Sequence, residues 1–410
     1  MTQPPADTPS SESETLQGPP HTEEETVRET DAPPEATSDG LPTLRVRRVS
    51  AGCSTPRDAV RSLDLDWIRG SGPLDHIVIS SRVRIARNLG GHRFPSVATP
   101  EELRSVFDRV AAIVEGSPWF NDFFTIDMAA LSPIELHTLV EKHLVSPLQA
   151  SLVGQGGPAR GVVLGPRGVL GVMINEEDHL RLQCLLPGLN TELAWETVSA
   201  LDDALEAHLD FAYTERLGYV TACPSNIGTG LRASVMLHLP ALALVNALET
   251  IKAQIVGQVG LAVRGMYGEG TGVQGNLIQI SNQISLGPRE EDLAAKVRGI
   301  AERIVEQEQN ARQKLRREFP VPLGDKVWRA LGILRHAQVV SANEALELLS
   351  MVRLGVELEV LPPISRARLN DLLVSIRPAT LQVLMGEVSD TVQADMMRAR
   401  RIRQELKEET

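Results

Sequence analysis

The chain has 410 residues, 42% hydrophobic and only 3% aromatic, with 41 Lys and Arg against 53 Asp and Glu, a formal net charge of −12. Residues 1–42 hold ten acidic residues and one basic residue, Arg28, so nine of the excess negative charges lie there and the remainder is near neutral, which argues against a non-specific nucleic-acid binder. No apolar leader follows Met1, no run approaches the ~18 apolar residues of a membrane span, and Cys53, Cys184 and Cys223 lack metal-ligand spacing, so a cytoplasmic protein with reduced thiols is expected, without a membrane or nucleic-acid partner.

Residues 1–55 read as a disordered acidic tail and linker, because a segment of Pro, Ser, Thr and Glu cannot bury enough apolar surface to offset its ordering entropy. A catalytic domain is expected over 56–320. His76 to Ile79 predicts a short strand running into Ser80–Arg87, and helical spacing covers 101–115 and 133–144. Residues 162–164 and 169–174 flank Gly165-Pro166-Arg167-Gly168, a hairpin turn, and Leu180, Leu182 and Cys184 alternate as a further strand. Amphipathic patterns cover 191–214, 241–259 and 290–318. Between the first two, Val220–Cys223 and Ala233–Leu237 predict two strands joined through Asn226–Gly230, with Arg232, Ser234 and His238 on the opposite face from Ala233 and Val235. Phe319-Pro320-Val321-Pro322 marks a boundary. Beyond it, 325–337, 342–360, 366–376 and 391–407 read as helices of a C-terminal domain over 321–410. The fold class predicted is α+β, an antiparallel sheet flanked by helices with a C-terminal helical domain.

Four clusters carry chemistry: Ser80-Ser81-Arg82-Val83-Arg84-Ile85-Ala86-Arg87; Asn175-Glu176-Glu177-Asp178-His179-Leu180-Arg181; Cys223 to Arg232; and Arg264-Gly265-Met266-Tyr267-Gly268-Glu269-Gly270-Thr271-Gly272. Taken singly, each has an ordinary reading as a surface ion pair, a solvated turn, a buried thiol or a loop. Together, Arg82, Arg84, Arg181, Arg232 and Arg264 could hold a polyphosphate through bidentate charge-assisted bonds. The chain has no GxxxxGKS/T loop and no HRD or DFG signature to do so otherwise.

At these residues the chain resembles the ATP:guanidino phosphotransferases, the family of the arginine and creatine kinases, and most of all its bacterial protein-arginine kinase branch. SSRVR, NEEDHLR, CPSNIGTGLRAS and RGMYGEG through ISN stand in the family's order, and VEKHLVSP and the helical C-terminal block are similar to that branch. The resemblance runs from about Trp67 to about Leu406. It implies an activity, ATP-dependent phosphorylation of arginine side chains in proteins, with Mg2+ bound through ATP. It also implies nucleotide contacts from Ser80, Ser81, Arg82, Val83, Arg84, His143, Arg181, Arg232, Ala233, Ser234, Val235, Met236, Arg264, Gly265, Met266, Tyr267, Gly268 and Glu269. Glu177 matches the carboxylate that orients the acceptor guanidinium and takes its proton, Cys223 matches the reactive cysteine with Ser225 able to support a thiolate, and Glu176 and Glu269 are further catalytic candidates. No large helical N-terminal domain precedes SSRVR, which suits an acceptor arginine presented on a protein.

Two positions depart from the pattern. Gly272 stands where the family carries a second substrate carboxylate, and Ala394-Asp395-Met396-Met397-Arg398-Ala399 lacks the leading arginine of the branch's RDxxRA phosphoarginine pocket, leaving Asp395 and Arg398 as its matching members. These departures keep open a catalytically weak, nucleotide-gated phosphoarginine-binding adaptor, and because the motifs for ATP are shared, a kinase of a free guanidino metabolite such as arginine stays open as well. An activator or protease-adaptor partner and a homodimer are the assemblies the resemblance allows.

Overall fold

The computed structural model describes residues 60, 63–265 and 274–407. The expected tail over 1–55, Cys53, and the loop residues Met266, Tyr267, Gly268, Glu269 and Gly272 lie outside the described residues. The strands are β1 (Val78–Arg87), β2 (Phe124–Asp127), β3 (Gly161–Leu164), β4 (Leu170–Ile174), β5 (Leu180–Pro187), β6 (Tyr213–Thr214), β7 (Gly218–Tyr219), β8 (Leu231–His238), β9 (Leu261–Arg264) and β10 (Leu277–Asn282). Eight of them form one antiparallel sheet in the order β2-β3-β4-β5-β1-β8-β10-β9, and β6 pairs with β7 as a separate ribbon.

Register decides which residues share a face, because side chains alternate with period two. Arg82 lies opposite Ser234 and Leu185, Arg84 opposite Arg232 and Gln183, Ala86 opposite Arg181, and Arg264 opposite Gln279. Ser80, Arg82 and Arg84 therefore share a face with Arg181, Gln183, Arg232, Ser234, Met236, Gln279 and Arg264. Ser81, Val83, Ile85, Ala233, Val235, Leu182, Cys184 and Ile280 point the other way and are fully buried.

Twelve helices are described: α1 (Pro100–Gly116), α2 (Pro133–Glu141), α3 (Pro147–Gly154), α4 (Thr191–Glu206), α5 (Pro240–Leu244), α6 (Leu248–Val256), α7 (Glu290–Glu318), α8 (Pro320–His336), α9 (Ala342–Glu357), α10 (Arg366–Ser375), α11 (Pro378–Met385) and α12 (Thr391–Glu405). The apolar face of the sheet is covered by α4, against β1 and β5, and by α7, against β8. Thr99 with Glu102, and Ser132 with Glu135, form reciprocal capping boxes ahead of a proline at the starts of α1 and α2, each worth about 1 kcal/mol.

Several expected elements differ. The pattern over 191–214 is helical only to Glu206, because the chain is drawn off to pair with β1's end: Gly90 N donates to Asp210 O and Ala212 N to Asn88 O. The 241–259 pattern is two helices, interrupted where Asn246 adopts φ +57°. Phe319 is the sole break between α7 and α8, since Pro320 takes the first helical position, where a missing N–H costs nothing. From Pro320 onward the described elements are all helices, and they attach firmly. Ser350 Oγ lies 2.8 Å from both His238 Nε2 and Asn276 Nδ2, and Arg353 donates to Asp75 O at 2.7 Å.

Candidate active site

The polar face of the sheet forms the floor of a cavity of about 330 Å³ lined by Arg82, Arg84, Arg181, Arg232 and Arg264 together with Glu176, Glu177 and Cys223. Crowding guanidiniums in a buried cleft is electrostatically unfavourable. Burial, then the neighbouring Arg181, Arg232 and Arg264, push the pKa of Arg82 down to about 10, and burial followed by Arg82, Arg181 and Arg232 takes Arg84 well below its ordinary value. Among the described residues Arg84 Nε, buried, has no hydrogen-bond acceptor. A polyanion is the ligand such a donor set calls for.

One carboxylate offsets part of that charge. Burial works against ionising Glu176, but Arg181 at 2.7 Å and the Ser146 hydroxyl outweigh it and hold the carboxyl below its ordinary pKa. Glu176, a catalytic candidate from the sequence, borders the cavity with a fully buried side chain whose carboxylate is engaged by these two partners and so holds Arg181 in place. Asn175 makes this turn possible. At φ +58° it bends β4 into β5, and its amide nitrogen donates to Leu103 O at 2.8 Å and Ala159 O at 2.7 Å. The three acids then diverge. Glu176 borders the cavity with its oxygens turned to Arg181 and Ser146, Glu177 lines the cavity half-buried, and Asp178 points into the protein.

Burial, followed by the charge of Asp178, raises the pKa of Glu177. Asp178 itself accepts from Ala222 N and from Asn88 Nδ2, both at 2.7 Å. Ala222 immediately precedes Cys223, so the acidic turn and the cysteine loop are joined by one carboxylate. Cys223 Sγ lies 3.1 Å from Ser225 Oγ, and Ser285 Oγ donates to Ser225 O at 2.9 Å and Ile227 O at 3.0 Å. The expected strand over Val220–Cys223 is not formed. Val220 O is taken by Asn88, Ala222 N by Asp178, and a tight turn over Pro224–Asn226 follows, while β8 pairs with β1 and β10. Cys223 and Arg232 line the same cavity even so.

The remaining candidates divide by face. Ser80, Ser234 and Met236 line a separate small pocket of about 10 Å³ that shares Arg82, His143 and Gln279 with the cavity lining. Ser81, Val83, Ala233 and Val235 present their side chains to the core instead; Ser81 Oγ donates to Gly188 O at 2.8 Å and accepts from Asn190 N at 2.9 Å, pinning the start of α4. Gly265 is buried beside Arg264, whose Nη1 donates to Ser281 Oγ at 3.1 Å. His143 is buried edge-on to Trp67, 5.2 Å between centroids, and burial, then Arg82 and Arg377, lower its pKa to about 3. In the C-terminal helices Arg398 is buried, donating to Ile376 O at 2.9 Å and Val340 O at 3.0 Å and pairing with Asp395. That arrangement ties α12 to its neighbours. Asn88 and Gln183 lie outside the motifs read from the sequence, whereas Ser146, Asp178 and Gln279 fall inside VEKHLVSP, NEEDHLR and the run from RGMYGEG to ISN but received no role there.

Residues 105–311 match the family model described as the ATP:guanido phosphotransferase C-terminal catalytic domain, and residues 320–410 match the protein-arginine kinase McsB C-terminal domain. A protein-arginine kinase of Moorella thermoacetica is 45% identical over 343 residues, covering 83% of this chain and 97% of its own length. The chain belongs to the protein-arginine kinases of the ATP:guanido phosphotransferase family. A second member, from Halothermothrix orenii, is 45% identical over 340 residues, 83% of this chain and 96% of its own. Among solved structures, the duplicated taurocyamine kinase of Schistosoma mansoni with bound transition state analog components superposes with a TM-score of 0.52 and 26% identity over 61% of this chain and 35% of that one. The cavity floor thus belongs to a phosphotransferase that acts on guanidino groups.

Proposed function

We propose that this cleft carries out ATP-dependent phosphorylation of arginine side chains in proteins, with Arg82, Arg84, Arg181, Arg232 and Arg264 around the phosphates, Glu177 as the base and Cys223 beside the attacking nitrogen. The observation that carries the reading is the convergence of five arginines on the cavity that also holds a half-buried acid and a thiol. Guanidiniums cannot ligate a cation, so Mg2+ would arrive on the phosphates, where it neutralises charge on the transferring group.

In the reaction, a guanidino nitrogen forms a bond to the γ-phosphorus while the bond from that phosphorus to the β,γ-bridging oxygen breaks, and ADP leaves with the electron pair. Transfer of this kind depends on alignment and charge compensation, which the arginines supply. The acceptor guanidinium has a pKa above ~12 and must shed a proton to attack. Glu177, raised by burial and by Asp178 and facing the cavity, receives it; such help is typically worth 10²–10⁴-fold. Cys223 and Ser225 would steady the cationic acceptor from the other side.

Among the described residues no helix is long and apolar enough to cross a membrane; we place the reaction in the cytoplasm. Terminally labelled ATP offered with an unfolded protein or with free arginine tests the acceptor. Acid-labile label on the protein, and little on the free amino acid, is expected; label on free arginine alone would favour a metabolite kinase, and none on either an adaptor.

A further inference from the structure

The cavity wall that contains Val140, His143, Val145 and Ser146 is held from two directions. From the sheet, Gln183 Nε2 donates to the carbonyls of His143 and Leu144, both at 3.1 Å. From the C-terminal helices, Glu141 accepts three hydrogen bonds at the start of α11: from Ala379 N at 3.0 Å, Thr380 N at 2.7 Å and Thr380 Oγ1 at 2.7 Å. Helix α11 has no side-chain cap of its own, since Arg377 at its N-cap position makes none. A carboxylate 238 residues away along the chain fills that role, favourably aligned with the helix dipole.

Two residues beyond Glu141, His143 adopts φ +60°, a left-handed conformation that a β-carbon disfavours and that persists where surrounding contacts over-determine it. Lys142 between them donates to Val60 O at 2.7 Å. At the same end of α11, Arg377 donates from Nη1 to Gln274 Oε1 at 3.1 Å, and its charge is felt at His143. We propose that Glu141 is a positioning residue for nucleotide binding: by capping α11 it locks the Lys142–His143 turn, so that the C-terminal helices set the affinity of the cleft for ATP. The proposal rests on reading this cleft as the nucleotide site.

The test is the equilibrium affinity of the full chain for a fluorescent ATP analogue, with KM and kcat measured alongside. Glu141→Ala should weaken binding roughly five- to thirtyfold and Thr380→Val roughly two- to fivefold, as expected for residues that transmit coupling. The double variant should be no weaker than Glu141→Ala, because both act through one contact. KM for ATP should rise while kcat at saturation stays within about twofold. Ser341→Ala removes another helix cap in the same domain, the single 3.3 Å bond from Glu344 N at the start of α9, whose residues do not line the cavity, and should leave affinity unchanged. Glu141→Ala and Thr380→Val both binding within twofold of the parent would overturn the proposal, as would Ser341→Ala weakening binding equally. A parent chain that binds no nucleotide would overturn the kinase reading and this proposal with it.

Discussion

Glutamine placed at 176 and at 177, one at a time, should give opposite phenotypes from adjacent acids. The Glu176 side chain is fully buried, 2.7 Å from Arg181, which is itself only 13% exposed. Glu176→Gln keeps the shape but leaves Arg181 buried among Arg82, Arg84 and Arg232 without its carboxylate. Breaking a buried pair costs about 3–5 kcal/mol; the amide oxygen still accepts one bond, which brings the figure to roughly 2–3 kcal/mol. At about 2 °C per kcal/mol for a fold of this size, the melting temperature should fall by roughly 4–6 °C. An anion in the cleft replaces the missing charge, so ATP should raise the melting temperature of this variant more than that of the parent. Glu177→Gln removes a half-buried acid whose ionisation burial already disfavours, so its melting temperature should stay within about 2 °C while turnover falls by ~10²–10⁴. Differential scanning calorimetry and phosphoryl transfer on the same preparations decide it. Glu176→Gln melting with the parent, or Glu177→Gln destabilised as much, would refute the division of roles.

Asp178→Asn keeps an acceptor for Ala222 N but removes the charge that, after burial, raises Glu177. A base works when ionised, so the acid limb of the kcat/KM profile should move to lower pH; a limb that stays put would contradict this assignment. Burial lowers the pKa of His143 to about 3 and of His179 to about 4, whereas an unfolded chain binds these protons near 6.5. The unfolded state therefore takes up protons first as the pH falls. The part of the stability that these histidines contribute should be full above pH 6.5 and decline between there and about 4, while Asp202, raised to about 6 by burial, works in the opposite direction. Urea midpoints at pH 7.5 and 5 for the parent and for His143→Gln isolate it: the variant should lose less on acidification, and an equal change in both proteins would count against it.

Much of the floor could be read in advance because strand alternation is local: Ser80, Arg82 and Arg84 recur every second residue, and Gly165-Pro166 signals the β3–β4 turn. The helix starts at Pro100 and Pro133 were legible for the same reason, since their caps lie within three residues. What escaped depends on distant partners. Val220–Ala222 has strand composition, yet its polar groups are claimed by Asn88 and Asp178 from other segments. The divergence of Glu176, Glu177 and Asp178 follows from Asn175, whose left-handed turn is secured by Leu103 and Ala159. Helix α11 carries no local cap for a reader to notice, because Glu141 supplies it from across the fold.

The claim on which the rest depends is that separate arginines grip the phosphate chain of the nucleotide. Titrating the protein calorimetrically with ATP, ADP and AMP tests it most directly, since each phosphate removed forfeits charge-assisted bonds worth about 1.5–3 kcal/mol apiece. Affinity should fall at least about tenfold with each phosphate lost, and the spread should shrink in Arg232→Gln. AMP binding within about threefold of ATP would contradict the account.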